Sequence, residues 1–95
     1  MADENAGRKS ELPRMDFPMF ILSLHHSALV HFGDAPPPDG GESKADLVLA
    51  RQTIDLIQML SEKTKGNLSG EEERLVQQVL YELRMRYVEV KKGLS

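Results

Sequence analysis

The sequence predicts an all-α fold of three helices, with the second and third as an antiparallel hairpin and the first packed across it. Three observations lead there. Apolar residues recur at helical spacing over three stretches, with no strand-like alternation of useful length between them. Each stretch opens on a residue that caps helices well: Asp16, then Ser43 or Asp46, then Ser69. The link from Gly66 to Leu68 is so short that the two long helices it joins must lie side by side.

The first helix is expected from Asp16 to Phe32, with Gly33 as its stop. Asp16 can accept a bond from a free first-turn N–H, and Pro18 falls within that turn, where a missing donor costs nothing. Phe17, Phe20, Leu24 and Ala28 recur on one side, with Ile21 alongside, and Met19, Leu22, Leu29 and Val30 on the other. A helix apolar nearly all round is buried on more than one face.

The second helix starts at Ser43 or, with Asp46 as the cap, just after it, and ends at Gly66. Lys63 and Lys65 fall in its last turn, where the helix dipole favours cations. Leu47, Ala50, Ile54 and Ile57 make one stripe. Leu49, Leu56 and Leu60 make a second beside it, with Thr53 between, and Arg51, Asp55, Gln58 and Glu62 make the polar edge. The third helix has the clearest start, because Ser69 and Glu72 form an S-x-x-E capping box. Glu71, Glu72 and Glu73 complement the dipole, while a hydrophobic staple from Leu68 would meet Glu73 and fails. Leu75, Val76, Val79, Leu80, Leu83, Tyr87 and Val90 form its core stripe, and Glu82 and Arg86 are spaced for an ion pair.

A chain of 95 residues is one domain at most. Residues 1–15 read as a disordered polar tail, 16–92 as a single helical domain with a linker at 34–42, and 93–95 as a tail. In the linker, Pro36, Pro37 and Pro38 impose a stiff, extended start, and Gly40 and Gly41 loosen the end. As a spacer between helices it needs no further role, and its PxxP-like spacing is weak as a ligand for an SH3-like groove.

Composition narrows the function classes. There is no cysteine, hence no disulfide, thiolate zinc site or cysteine nucleophile. The net charge of -3 argues against nucleic acid, which needs clustered Lys and Arg. The apolar run after Phe17 mimics a signal peptide poorly, since Asp16 precedes it and His25 and His26 interrupt it, so a cytoplasmic location is expected.

No catalytic or cofactor constellation emerges. His25 and His26 point about 100° apart on a helix, and His31 is not three or four residues from either. Two metal ligands on one face need that spacing, so no metal is expected. Glu71 to Glu73 are explained by the dipole, and neither a Gly-rich phosphate loop nor a Gly-x-Ser-x-Gly nucleophile occurs. The C-terminal Arg84, Arg86, Lys91 and Lys92 spread around the helix with Glu82 and Glu89 among them and read as a solvated helix end.

The segments FILSLHHSALVHFG, LVLARQTIDLIQMLSEKTKGNLS and EEERLVQQVLYELRMRYVEV resemble a small family known as a domain of unknown function, met in deltaproteobacteria and some other bacteria. The resemblance runs over about residues 16 to 90, most specifically from Gln52 to Asn67 and along LYELRMRY. It implies a polar, variable N-terminal tail and no activity, cofactor or site. The family usually carries small hydroxylated residues where this chain has His25 and His26, which weakens further their reading as ligands.

The expectation is therefore a non-enzymatic helical module for oligomerisation or protein–protein contact, with no small-molecule substrate, nucleic acid or membrane as partner. Two other classes stand as alternatives: a nucleic-acid accessory factor using the basic end of the third helix, and a small enzyme with an intersubunit site. The surplus of apolar stripes carries the first reading. A three-helix monomer needs one stripe per helix, yet the first helix has two, and Tyr81, Met85 and Val88 make a second line on the third helix. Ser23 and Ser27, four apart, would let another helix approach. The expected interface of a symmetric dimer is Phe17, Met19, Phe20, Leu22, Ser23, Leu24, Ser27, Leu29, Val30, Tyr81, Met85 and Val88.

Overall fold

The computed structural model describes residues 16–41 and 44–94. The expected tail at 1–15 and the possible helix start at Ser43 lie outside them. Three helices follow in order: α1 (Phe17–Phe32), α2 (Leu47–Lys63) and α3 (Gly70–Leu94), with no strand among the described residues. The fold is all-α.

Local chemistry sets the helix ends. The Asp16 carboxylate accepts from the Met19 N–H at 2.9 Å, and Pro18 sits in the first turn. Gly33 closes α1 with φ 83°, a left-handed conformation that a side chain would strain. Its N–H and that of Asp34 reach back to the carbonyls of Val30 and Leu29. Asp46 caps α2 through the Leu49 N–H at 3.1 Å. α2 ends at Lys63, three residues before Gly66, with Thr64 as its cap, whose hydroxyl donates back to the Leu60 carbonyl at 2.6 Å. The capping box of α3 is complete: Glu72 N–H donates to Ser69 Oγ at 3.1 Å, and Ser69 N–H donates to Glu72 Oε1 at 2.8 Å. α3 runs on to Leu94, past the expected boundary at 92.

Cross-contacts give the topology. Gln58 meets Arg84, Ser61 meets Gln77, and Arg51 meets Tyr87. Numbers that fall on α2 as they rise on α3 mean an antiparallel hairpin. α1 reaches α3 through His25 and Glu82 and, just beyond its end, through Asp34 and Arg86, so numbers rise together and α1 runs parallel to α3. Each helix packs against both others. Between α1 and α2 the linker is a folded turn: Gly40 N–H donates to the Pro37 carbonyl at 3.0 Å, and Gly41 N–H to Asp39 Oδ1 at 2.9 Å. The chain then returns to the end of α1, where Asp46 N–H donates to the His31 carbonyl at 2.6 Å.

The core is one seam. Ile21, Ala28 and Phe32 come from α1, Ala50, Ile54 and Ile57 from α2, and Val76, Val79, Leu80 and Leu83 from α3. Buried Thr53 sits among them with its hydroxyl satisfied by the Leu49 carbonyl at 3.1 Å. The first expected stripe of α2 and the core stripe of α3 supply the buried residues. On α1 the stripe is rotated: Ile21 and Phe32 are buried while Phe20 stays 39% exposed. Phe17, Ile21, Leu24, Ala28 and Phe32 step by four and three residues and so form the line that faces the hairpin. Leu68, denied a staple partner at Glu73, packs against this core instead.

Truncating the seam should cost far more than trimming the surface. Ile21→Ala should lower unfolding free energy by roughly 2–5 kcal/mol, and Ser69→Ala by about 1 kcal/mol through the lost cap. Val48→Ala, at a position 79% exposed, should stay within about 0.5 kcal/mol of the parent. Urea denaturation followed by circular dichroism measures all three.

Candidate interaction surface

One seam cannot hold every apolar side chain these helices carry. Large side chains left outside it are Met19, Phe20 and Leu22 on α1, Val48, Leu49, Leu56 and Met59 on α2, and Tyr81, Met85 and Val88 on α3. Of the expected interface residues, Met19, Phe20, Leu22, Ser23, Ser27, Tyr81, Met85 and Val88 are exposed. Phe17, Leu24, Leu29 and Val30 are half-buried, and Phe17, Leu24 and Leu29 pack against the core. The expected set thus divides between surface and core flank. The exposed line on α3 is the most complete, with Tyr81 66%, Met85 49% and Val88 48% exposed.

Sequence reasoning missed the surface of α2. Leu49 and Leu56 belong to the second apolar stripe, whose width suits a helix touching two neighbours, but each is about two-fifths exposed, and Val48 and Met59 are exposed as well. The available signal was the width of the apolar arc, which exceeds what two neighbouring helices cover.

Several of the polar side chains in the clefts are tied to one another. An open groove of about 670 Å³ between α2 and α3 is lined by Gln58, Ser61, Glu62, Lys65, Glu73, Arg74, Gln77 and Gln78. Across and along it Gln77 donates to Ser61 at 3.2 Å, Gln58 to Glu62 at 3.0 Å, and Gln78 to Glu82 at 3.3 Å. A second cleft of about 370 Å³, toward the C-terminal half of α3, is lined by Arg51, Ile54, Asp55, Arg84, Tyr87 and Val88. There the Arg51 guanidinium and the Lys91 ammonium lie 5.9 and 6.0 Å from the centre of the Tyr87 ring, a cation–π arrangement. A hydrogen bond with Tyr87, with the Asp55 charge behind it, holds Arg51 above its ordinary value.

Arg84 and Arg86, near the C-terminal end of α3, are engaged within the chain. Arg84 donates to Gln58. Arg86 forms a fork on Asp34, Nε to Oδ2 at 2.7 Å and a terminal nitrogen to Oδ1 at 2.6 Å, and also reaches Glu89 at 3.1 Å. The expected Glu82–Arg86 pair is therefore replaced: the planar guanidinium takes the bidentate carboxylate that the end of α1 presents. Glu82 faces His25 at 3.8 Å. His25 and His31 are half-buried and His26 is exposed. Among the described residues no group of three or more His, Asp or Glu side chains could hold a metal ion, and no buried side-chain polar atom lacks a partner.

These features define a class: a small three-helix bundle with an apolar seam, polar clefts partly tied by internal hydrogen bonds, and large apolar side chains exposed on every helix. The chain belongs to the family described as a domain of unknown function, DUF1844, whose pattern matches residues 14–89. No curated protein and no solved structure matches it. Among the described residues no helix is long and apolar enough to cross a membrane.

The Asp34–Arg86 fork gives the fold a pH dependence. The hydrogen bonds from Arg86 hold the Asp34 carboxyl below its ordinary 3.8, outweighing slight burial that works the other way. A lowered carboxylate pKa adds stability above the unfolded value, and that stability is lost as pH falls through the folded one. Asp34→Asn should therefore lower the thermal midpoint at neutral pH. The gap to the parent should hold until pH approaches 3.8 and close below it. Melting curves of both proteins against pH provide the check.

Proposed function

We propose that this chain is a non-catalytic helical interaction module that works as a homo-oligomer, a symmetric dimer, in the cytoplasm. The carrying observation is the set of large apolar side chains left in water on α1 and α3. Met19, Phe20, Leu22, Tyr81, Met85 and Val88 are each 38–66% exposed. Full burial of such a side chain contributes roughly 1.5–3 kcal/mol, and these, partly buried already, would recover a fraction of that. Covering one of the two faces across a two-fold axis takes three large apolar side chains per subunit, six in all, out of water, and that gain is set against the cost of association.

A non-catalytic role is supported by the polar groups. Asp34, Arg51 and Arg86 owe their shifted proton affinities to one another, to Tyr87, Asp55 and Glu89 rather than to a pocket awaiting substrate. The guanidiniums at the end of α3 already have partners within the chain, which leaves less charge for a phosphate backbone.

Sedimentation equilibrium at micromolar concentration should give twice the 10.7 kDa subunit mass. Leu22→Asp and Met85→Asp probe the two faces separately, and the one on the contact should sediment as a monomer with its helicity intact. A parent protein that is a clean monomer under those conditions overturns the reading.

A further inference from the structure

The geometry points to α3 as the self-association element: two copies of this helix pack antiparallel along the face opposite Leu83, with Tyr81 beside the two-fold axis. This rests on the proposed dimer and specifies its contact. Arg74, Tyr81, Met85, Val88 and Lys92 follow one another at steps of seven, four, three and four residues, the spacing of a single helix face. All five are exposed. Glu71 and Glu89 flank that line, and both are exposed too.

The occupant follows from charge. α3 begins with Glu71, Glu72 and Glu73 and ends with Lys91 and Lys92. A second copy running the same way would set like charge beside like charge, and one running the opposite way sets unlike charges together. The register that brings Glu71 opposite Lys92 of the second copy also brings Arg74 opposite Glu89 of the second copy. The two-fold axis makes four ion pairs of these two. In that register Tyr81 meets its own mate across the axis, Met85 lies along the stem of Gln78 of the second copy, and Val88 falls between the stems of Arg74 and Gln78. In this register Glu82 lies one residue from Glu82 of the second copy on the same flank, one like-charge pair against four unlike ones; the competing antiparallel register, with Met85 on the axis, sets Glu82 against Glu89 of the second copy twice over, and like charges across a contact are costly. At 1.5 Å per residue the 25-residue helix offers about 37 Å of seam.

The chain has no cysteine, so single thiols report on this contact cleanly. Tyr81→Cys should give a disulfide-linked dimer under mild oxidation. Met85→Cys should not, because its mate lies about 10 Å away along the axis, beyond the roughly 7 Å between Cα atoms that a disulfide spans. Val48→Cys, on α2, is the control for random collision. Charge reversal gives the second readout. Glu71→Lys alone and Lys92→Glu alone should each weaken the dimer about tenfold, and the double variant should restore it. The two residues are about 31 Å apart within one helix, so restoration reports on contact between copies and not on repair within one. A parent dimer in which Met85→Cys links, or Tyr81→Cys does not, or the double reversal fails to restore association, overturns the α3 contact and leaves the dimer standing. A monomeric parent overturns both.

Discussion

Everything in this bundle follows from three helices sharing a single apolar seam. Ten side chains fill it, three from α1, three from α2 and four from α3, and Ile21, Ile57, Leu80 and Leu83 are almost completely removed from water. A seam of that width accepts one stripe per helix. Each helix carries more than one, so closing the core forces the rest outward. The exposed lines are therefore a product of the core's geometry rather than of loose folding: Ile54 can be buried only with Met59 and Val48 turned away, and Leu83 only with Tyr81 and Met85 turned away.

The seam alone would not fix how α1 lies on the hairpin, since apolar contact has no direction. Two polar clips near the end of α1 supply one. The Asp46 N–H reaches the His31 carbonyl and fastens the start of α2 there, and Asp34 grips Arg86 of α3. Gly33 lies between them, in a left-handed turn within 3.4 Å, at its would-be Cβ, of the Ala45 backbone. The end of α1 is thereby held by both other helices. The same clip occupies the guanidinium that a basic helix end would otherwise offer to a phosphate. One contact thus shapes the fold and reduces what the surface can recognise.

What could be read from the sequence was what is local. The caps at Asp16, Asp46 and Ser69 involve partners three residues away, and the structure makes each bond. The buried stripes of α2 and α3 were legible because their apolar arcs have a clear centre. On α1 the apolar arc is nearly complete, and the choice between Phe20 and Ile21 amounts to a turn of about 100°. Only the hairpin decides that, by where it leaves room. The Asp34–Arg86 fork spans 52 residues, so local spacing offered Glu82 as the partner and could not offer Asp34. The exposure of Leu49 and Leu56 was not legible for the same reason as that of Phe20: an arc tells how much is apolar and not how much neighbours will cover. Of the interface set, the line on α3 was the most legible, because it stands alone against a polar background.

That isolation links helix stability to assembly. Acidic residues at the start of α3 and lysines at its end are what the helix dipole favours in any long helix, and they are explained by stability within one chain. The result is a rod with opposite charge at its two ends and an apolar line between them. Apolar side chains give such a rod adhesion without orientation, and charge gives orientation without much adhesion. Together on one exposed face they favour one partner direction, antiparallel, and one register, the one in which Arg74 also meets Glu89. A pattern laid down for the stability of a single helix is, on a face the core does not use, also what the proposed α3 contact would read in a second copy.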